Sequence, residues 1–120
     1  MLSRKYKLKK DNDFKKVFKQ GKNYQQEFIK IKVLKNNLAY NRFGFIVGLK
    51  ISKKSIERNK IKRRLEETVR LKLKQISASG GKSGFDVVVL VNQEIIEKNY
   101  QEIEKTLINL FRKANLIWSY

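Results

Sequence analysis

The sequence predicts an α+β fold: a two-layer α/β sandwich in which about four strands of a mixed sheet pack against three helices, in the order α-β-β-β-α-β-α. Three observations lead there. Apolar residues recur at three- and four-residue spacing in three separate stretches, the mark of amphipathic helices. The segments between them alternate in polarity or run continuously apolar, as strands do. No repeat, low-complexity linker or Pro divides the 120 residues, so residues 1–120 read as a single domain long enough to bury a core.

The first helix has Asp11 or Asn12 as its N-cap, sets Phe14, Val17 and Phe18 on one face, and stops at Gly21. A short strand is expected near Asn23 to Gln25. Residues 27–35, EFIKIKVLK, alternate, with Ile29, Ile31 and Val33 on one side and Phe28, Lys30 and Lys32 on the other. Past the polar NNLAYN turn, FGFIVGL at 43–49 reads as a further strand whose Gly44 and Gly48 admit a close backbone approach or a bulge. A long helix follows from about Glu57 to Ile76, with Ile61, Leu65, Val69, Leu73 and Ile76 as its buried stripe. After the SASGGKSG loop, the apolar run FDVVVLV at 85–91 suits a central strand covered on both faces. The last helix, near Tyr100 to Ala114, opens with Asn99 and Glu102 spaced as a capping box and turns Ile103, Leu107, Leu110, Phe111 and Ala114 inward.

Composition then narrows the function. With 29 Lys+Arg against 11 Asp+Glu, the chain carries +18, a balance that points to a polyanionic partner. The plain rival is codon usage: Lys, Asn and Ile abound as an A/T-rich genome would impose, and scattered lysines then merely coat the surface. The absence of Cys and His removes disulfides, thiolate metal sites and the commonest general base and zinc ligand. The start MLSRKYKLKK lacks the apolar core of a signal peptide, and no run approaches a membrane span. The expectation is a soluble cytoplasmic protein with no membrane partner and no implied protein partner.

Charge concentrates between Lys50 and Arg64, KISKKSIERNKIKRR, where eight cations meet the single carboxylate of Glu57. A helix begins inside this run. Its N-terminus carries about half a positive charge, so Arg58, Lys60, Lys62, Arg63 and Arg64 there each cost a few tenths to about 1 kcal/mol unless an anion arrives from outside. Pairs at i, i+4 (Lys62 with Glu66, Arg63 with Glu67, Glu66 with Arg70) offer a structural explanation for the second half of the helix. They leave Arg58, Lys60 and Arg64 without one. The segment is therefore a candidate nucleic-acid-binding surface, with Lys50, Lys53, Lys54, Arg58, Asn59, Lys60, Lys62 and Arg63 as its candidate contacts.

Four segments, KLKKDNDFKKVFKQG at 7–21, RFGFIVGLKISK at 42–53, ERNKIKRRLEE at 57–67 and LFRKA at 110–114, resemble the bacterial ribonuclease P protein family. The most specific part is Arg58-Asn59-x-x-Lys62-Arg63 behind a strand and a basic loop, with Phe14 and Phe18 upstream. The resemblance implies a left-handed crossover between parallel strands, against a right-handed expectation of about 98%. It implies a protein that assists a catalytic RNA in removing the 5′ leader from precursor tRNA. Arg58, Asn59, Lys60, Lys62 and Arg63 would meet the RNA subunit, while Phe14, Phe18, Ile29 and Ile31 would line a cleft for the leader. Two departures stand out: Leu49 and Lys50 lie where the family carries a lysine pair, and Glu66 where several members are basic.

The residues taken alone keep rivals open. Helical spacing favours the core for Phe14 and Phe18, and the family pattern shifts at least one ring toward stacking. For Ile29 and Ile31 the core reading is the stronger, and Phe28, Lys30 and Lys32 are the rival RNA-facing set. At the level of function, a structural RNA-binding protein such as a small ribosomal protein fits the composition equally well. A self-sufficient metal nuclease needs converging carboxylates, and Asp86, Glu66 and Glu67 show no ligand spacing. Mg²⁺ required by the holoenzyme for cleavage is then expected chiefly on RNA phosphates, with no protein ligand assigned.

Overall fold

Helix α1 spans Asp11–Gln20, and Lys10 rather than an acidic residue occupies its N-cap. Asp11 and Asp13 fall inside the first turn, where their charge complements the helix dipole. The helix ends at Gly21, but in an extended conformation (φ −73) rather than the left-handed one a terminal glycine usually adopts. A side chain is excluded there all the same, because a Cβ would lie 2.5 Å from the Val17 carbonyl oxygen. The computed structural model describes residues 2–72 and 84–116.

Strands β1, Lys22–Gln26, and β2, Ile29–Lys35, form a hairpin whose turn takes Glu27 and Phe28 out of the expected strand. Glu27 adopts φ 53 there. Strand β3, Arg42–Ile46, is shorter than its apolar run, because the chain leaves the sheet at Val47 and turns at Gly48 to Ile51. Helix α2 covers Ser55–Lys72, with Leu73 and Ile76 of the expected stripe outside the described residues, as is the SASGGKSG loop up to Gly84. Strand β4, Phe85–Val91, leads through a short 3-10 turn at Gln93–Glu97 into α3, Tyr100–Lys113. The capping box of α3 is complete: Glu102 N donates to Asn99 Oδ1 at 2.8 Å, and Asn99 N donates to Glu102 Oε1 at 3.3 Å.

The sheet order is β1-β2-β4-β3, antiparallel except for the parallel β3/β4 pair. The β3–α2–β4 unit is thus the crossover whose left hand the resemblance implies. The helical layers are uneven. Ile29, Ile31, Phe43, Val87 and Val89 face a large core built with α2 and α3, including Leu65, Val69, Leu107, Leu110 and Phe111. On the opposite face α1 lies alone, packing Val17 and Phe14 with Leu8, Leu34, Ile46 and Val88. Strand β4 is buried on both sides, which explains why its sequence does not alternate. Each such fully buried aliphatic or aromatic side chain stabilises the fold by about 1.5–3 kcal/mol.

Candidate nucleic-acid interface

Burial of Ile61, Leu65 and Val69 fixes the rotation of α2 and so decides what faces outward. Asn59 and Arg63, one turn apart, are exposed with Lys60 beside them, while Lys62 and Arg64 sit half-buried at the margins. Because the helix starts at Ser55, Lys60, Lys62, Arg63 and Arg64 lie beyond the first turn, where the dipole penalty has largely decayed. Arg58 stays near the start and has a task of its own. Its Nη1 donates to the Ser52 carbonyl at 2.8 Å, while Ser52 Oγ accepts from Lys54 N at 3.1 Å. Arg58 therefore clamps the loop that carries the exposed Lys50, Lys53 and Lys54.

Among the described residues the carboxylates of α2 pair differently from the anticipated i, i+4 pattern. Glu66 turns to Lys7 of the N-terminal segment, 3.7 Å away, and Glu67 accepts from Arg70 Nε at 3.1 and 3.2 Å. Those hydrogen bonds hold the Glu67 carboxyl below its ordinary range. Among the described residues no ion pair involves Arg58, Lys60, Lys62, Arg63 or Arg64. Their charge is thus uncompensated by any described carboxylate and open to solvent or an anion.

The two phenylalanines of α1 part company. Phe14 lies against the sheet, close enough that a Cβ on Gly44 would meet its ring at 2.5 Å. This is the close approach that Gly44 was expected to allow; at Gly48 the same position is open space. Phe18 belongs to neither apolar cluster and is 38% exposed. Lys32 Nζ stands 5.2 Å from the centre of its ring and donates to the Phe18 carbonyl at 3.2 Å.

Strand parity places Lys32 there, and it corrects half of the expected cleft. Ile31 pairs across the sheet with Tyr24 and Val89, and Ile29 with Gln26 and Val91, all on the face toward α2 and α3 or at its end. Ile29 is 1% and Ile31 0% exposed, so neither offers a leader-binding surface. The β2 side chains on the α1 face are Lys30, Lys32 and Leu34, all half-buried, and the first two are the cations there. Phe28, of the same parity, leaves that set because the hairpin turn carries it into the main core.

At the start of β3, Arg42 ties α1 to β4. Its Nε and Nη2 grip Asp86 at 2.8 and 2.7 Å, and its Nη1 reaches Asp13 of α1 at 3.4 Å. Hydrogen bonding to Asp86 raises the Arg42 pKa further above its already high ordinary value. Asp86 also accepts from Asn36 Nδ2 at 2.9 Å. The three carboxylates considered as metal ligands are thus engaged by Arg42, Lys7 and Arg70, and among the described residues no three acidic side chains converge.

A strand, a basic loop and a helix presenting Asn59 and Arg63, with a half-exposed ring across the sheet, is an arrangement with relatives. The ribonuclease P family model matches residues 2–115. The ribonuclease P protein component of Alkaliphilus metalliredigens (strain QYMF) is 37% identical over 111 residues, covering 92% of this chain and 95% of that one. This chain belongs to the ribonuclease P protein family. The RNase P protein of Thermotoga maritima superposes with a TM-score of 0.78 at 30% identity, over 89% of this chain and 96% of that one. That of Staphylococcus aureus, at 24% identity, shares the fold with a TM-score of 0.83 over 94% and 98% of the two chains.

Within this family frame, the sequence did not foresee two features. Ile56 is 83% exposed in the first turn of α2 amid the cations, where helical periodicity had nothing to place it against. The Lys32–Phe18 contact joins residues 14 apart, and only the parity of β2 hinted at it. Among the described residues no helix is long and apolar enough to cross a membrane.

Proposed function

We propose that this chain is the protein subunit of ribonuclease P and assists a catalytic RNA in removing the 5′ leader from precursor tRNA. The observation that carries the reading is the outward Asn59–Arg63 face of α2, free of ion pairs among the described residues and flanked by a lysine loop that Arg58 clamps. Such a face neutralises RNA phosphates and displaces condensed counterions, which makes binding strong at low salt and steeply salt-dependent. A ribosomal-type RNA binder would need only the charge; the family membership favours the subunit.

The leader lies on the α1 side in this reading. Phe18 supplies a ring for a single-stranded base, and Lys32 and Lys30 supply cations for the adjoining phosphates, in place of Ile29 and Ile31. Phe14 supports Phe18 by holding α1 on Gly44. The Mg²⁺ ions of cleavage are held by RNA phosphates, and the protein contributes positioning and charge rather than bond-breaking groups. The working compartment is the bacterial cytoplasm, where precursor tRNA is made.

Cleavage of precursor tRNA by the protein alone, by the cognate catalytic RNA alone and by both tests this directly. The protein alone with Mg²⁺ is expected to be inactive and the mixture to exceed the RNA alone at low salt. Cleavage by RNA-free protein, or no stimulation at any salt, overturns the assignment.

A further inference from the structure

Tyr40 is an aromatic side chain that neither apolar cluster uses, yet the loop that carries it is firmly held. Asn36 Nδ2 donates to the Tyr40 carbonyl at 3.2 Å as well as to Asp86, and Asn36 Oδ1 accepts from Leu38 N at 2.8 Å. Asn41 Oδ1 accepts from Phe85 N at 2.7 Å, and Gly84 N donates to the Leu38 carbonyl at 2.6 Å. Gly84 lies so close that a Cβ there would stand 2.0 Å from the Tyr40 carbonyl oxygen. A loop fixed in this way holds its side chains without further loss of chain entropy on binding.

The Tyr40 ring has company from the N-terminal segment. Tyr6 meets it edge-to-face with centroids 6.0 Å apart, and Lys5 Nζ stands 4.8 Å from the Tyr40 centroid and 5.6 Å from that of Tyr6. Tyr6 also packs against the main core, so it anchors the pair while Tyr40 stays half-exposed. Residues 4–10, RKYKLKK, hold five cations and no carboxylate, and they run beside β3 through the Lys7–Phe43 bridge. The Lys7–Glu66 pair ties this strap to α2, and Asp13–Arg42 ties α1 to the start of β3.

We propose that Tyr40, with Tyr6 at its edge and Lys5 over its ring, is a second contact for single-stranded RNA, separate from both the α2 face and Phe18. This rests on the reading of the chain as an RNA-binding subunit. Rings on a preorganised loop beside a run of cations are the elements of a sequence-tolerant stacking platform. An incoming base takes the place of the ammonium on the Tyr40 ring, and Lys5 passes to the adjoining phosphate. If the Tyr6–Tyr40 contact only staples the N-terminal segment to this loop, loss of the Tyr40 ring moves melting and leaves RNA affinity unchanged.

The test uses the full chain and a fluorescein-labelled oligouridine of about a dozen nucleotides, within the usual span of such platforms. Tyr40→Leu is expected to weaken binding by about tenfold, and Tyr40→Phe to retain it, since stacking needs the ring and not the hydroxyl. Lys5→Gln is expected to flatten the log–log salt slope by about 0.7, one phosphate contact. Wild-type affinity for Tyr40→Leu overturns the proposal. Should Tyr40→Leu melt below wild type, photocrosslinking of the unaltered chain to 5-iodouridine RNA decides: adducts on the peptide holding Tyr40 support the contact, and adducts confined to α1 and α2 overturn it. Stimulation of the catalytic RNA by the unaltered chain is measured alongside, so that loss of the subunit reading is seen separately from loss of this contact.

Discussion

Truncation of Phe18 should separate leader binding from folding, because the structure packs one ring of α1 against the sheet and leaves the other largely exposed. Phe18 is 38% exposed and outside both apolar clusters, so Phe18→Ala should cost about 1 kcal/mol of stability, chiefly its contact with Lys32. For a chain of this length that lowers Tm by about 3–6 °C. Phe14 is wedged between Gly44, Leu8 and Val17, and Phe14→Ala should cost about 2–3 kcal/mol, somewhat less than a fully enclosed ring. In binding the order reverses. Loss of one base-stacking contact is worth about 1–3 kcal/mol, so the holoenzyme with Phe18→Ala should bind leader-bearing precursor tRNA about 5- to 150-fold more weakly. Mature tRNA should be held as before. Fluorescence binding to both substrates, with thermal melting of each variant, supplies the comparison. Equal weakening for precursor and mature tRNA, or a Tm loss for Phe18→Ala as large as that for Phe14→Ala, would refute the division of labour.

Asp86→Ala strips a bidentate partner from Arg42 and the anchor from Asn36, and removal of one side of such a pair costs about 3–5 kcal/mol when buried; urea denaturation showing less than 1 kcal/mol would mean that water or Asp13 compensates. Replacing Lys62 and Arg63 with Ala should weaken assembly with the catalytic RNA whatever the leader length. It should also reduce the log–log salt slope by about 0.7–0.9 per lost phosphate contact, and an unchanged slope would remove these residues from the interface. Glu67 has a folded pKa lowered by Arg70, so its contribution is present above the unfolded value and lost as pH falls through the folded one. Arg70→Gln should accordingly narrow the Tm difference between pH 7 and pH 3, and an unaltered difference would show the pair to be thermodynamically silent.

The elements whose signal is local were legible. The Asn99–Glu102 capping box, the apolar run of β4 and the Ile61–Leu65–Val69 stripe each appear as the sequence implies, because residues within a few positions settle them. Faces were harder. Alternation in β2 shows that Ile29 and Ile31 share a side, but only the pairing of β2 with β4 and the site of α1 reveal that this side is the enclosed one. Gly21 was expected to stop α1 and does, but its need for room over Val17 is set by tertiary closeness and was not legible. The ion pairs of α2 were misplaced for the same reason: i, i+4 spacing permits Lys62–Glu66, yet Lys7, from 59 positions away in the chain, claims Glu66. The Asp86–Arg42–Asp13 network and the Tyr6–Tyr40 pair are long-range throughout and left no local trace.

Placement of the carboxylates, more than the excess of lysine, sets how the protein can face an RNA. Four of the 11, Glu94, Glu97, Glu102 and Glu104, lie within residues 93–104 beside the single cation Lys98, which spans Glu94 and Glu102 at 3.9 and 3.8 Å. The rest of the chain is therefore more positive than the +18 of the whole. The two regions meet at an open groove of about 810 Å³ lined by Lys50 as well as Glu94 and Glu97, where Gln93 Nε2 donates to the Lys50 carbonyl at 2.5 Å. With a screening length of about 8 Å at physiological salt, an RNA strand senses each region separately rather than the average. The face of α3 around its N-terminus then repels phosphate while the α2 motif, its lysine loop and the N-terminal strap attract it. Glu94 and Glu102 stand in the first turns of their helices, where the dipole and the capping box favour a carboxylate, so helix-end chemistry accounts for part of this segregation; its electrostatic consequence is the same, one side of the molecule that attracts a phosphate backbone and one that repels it.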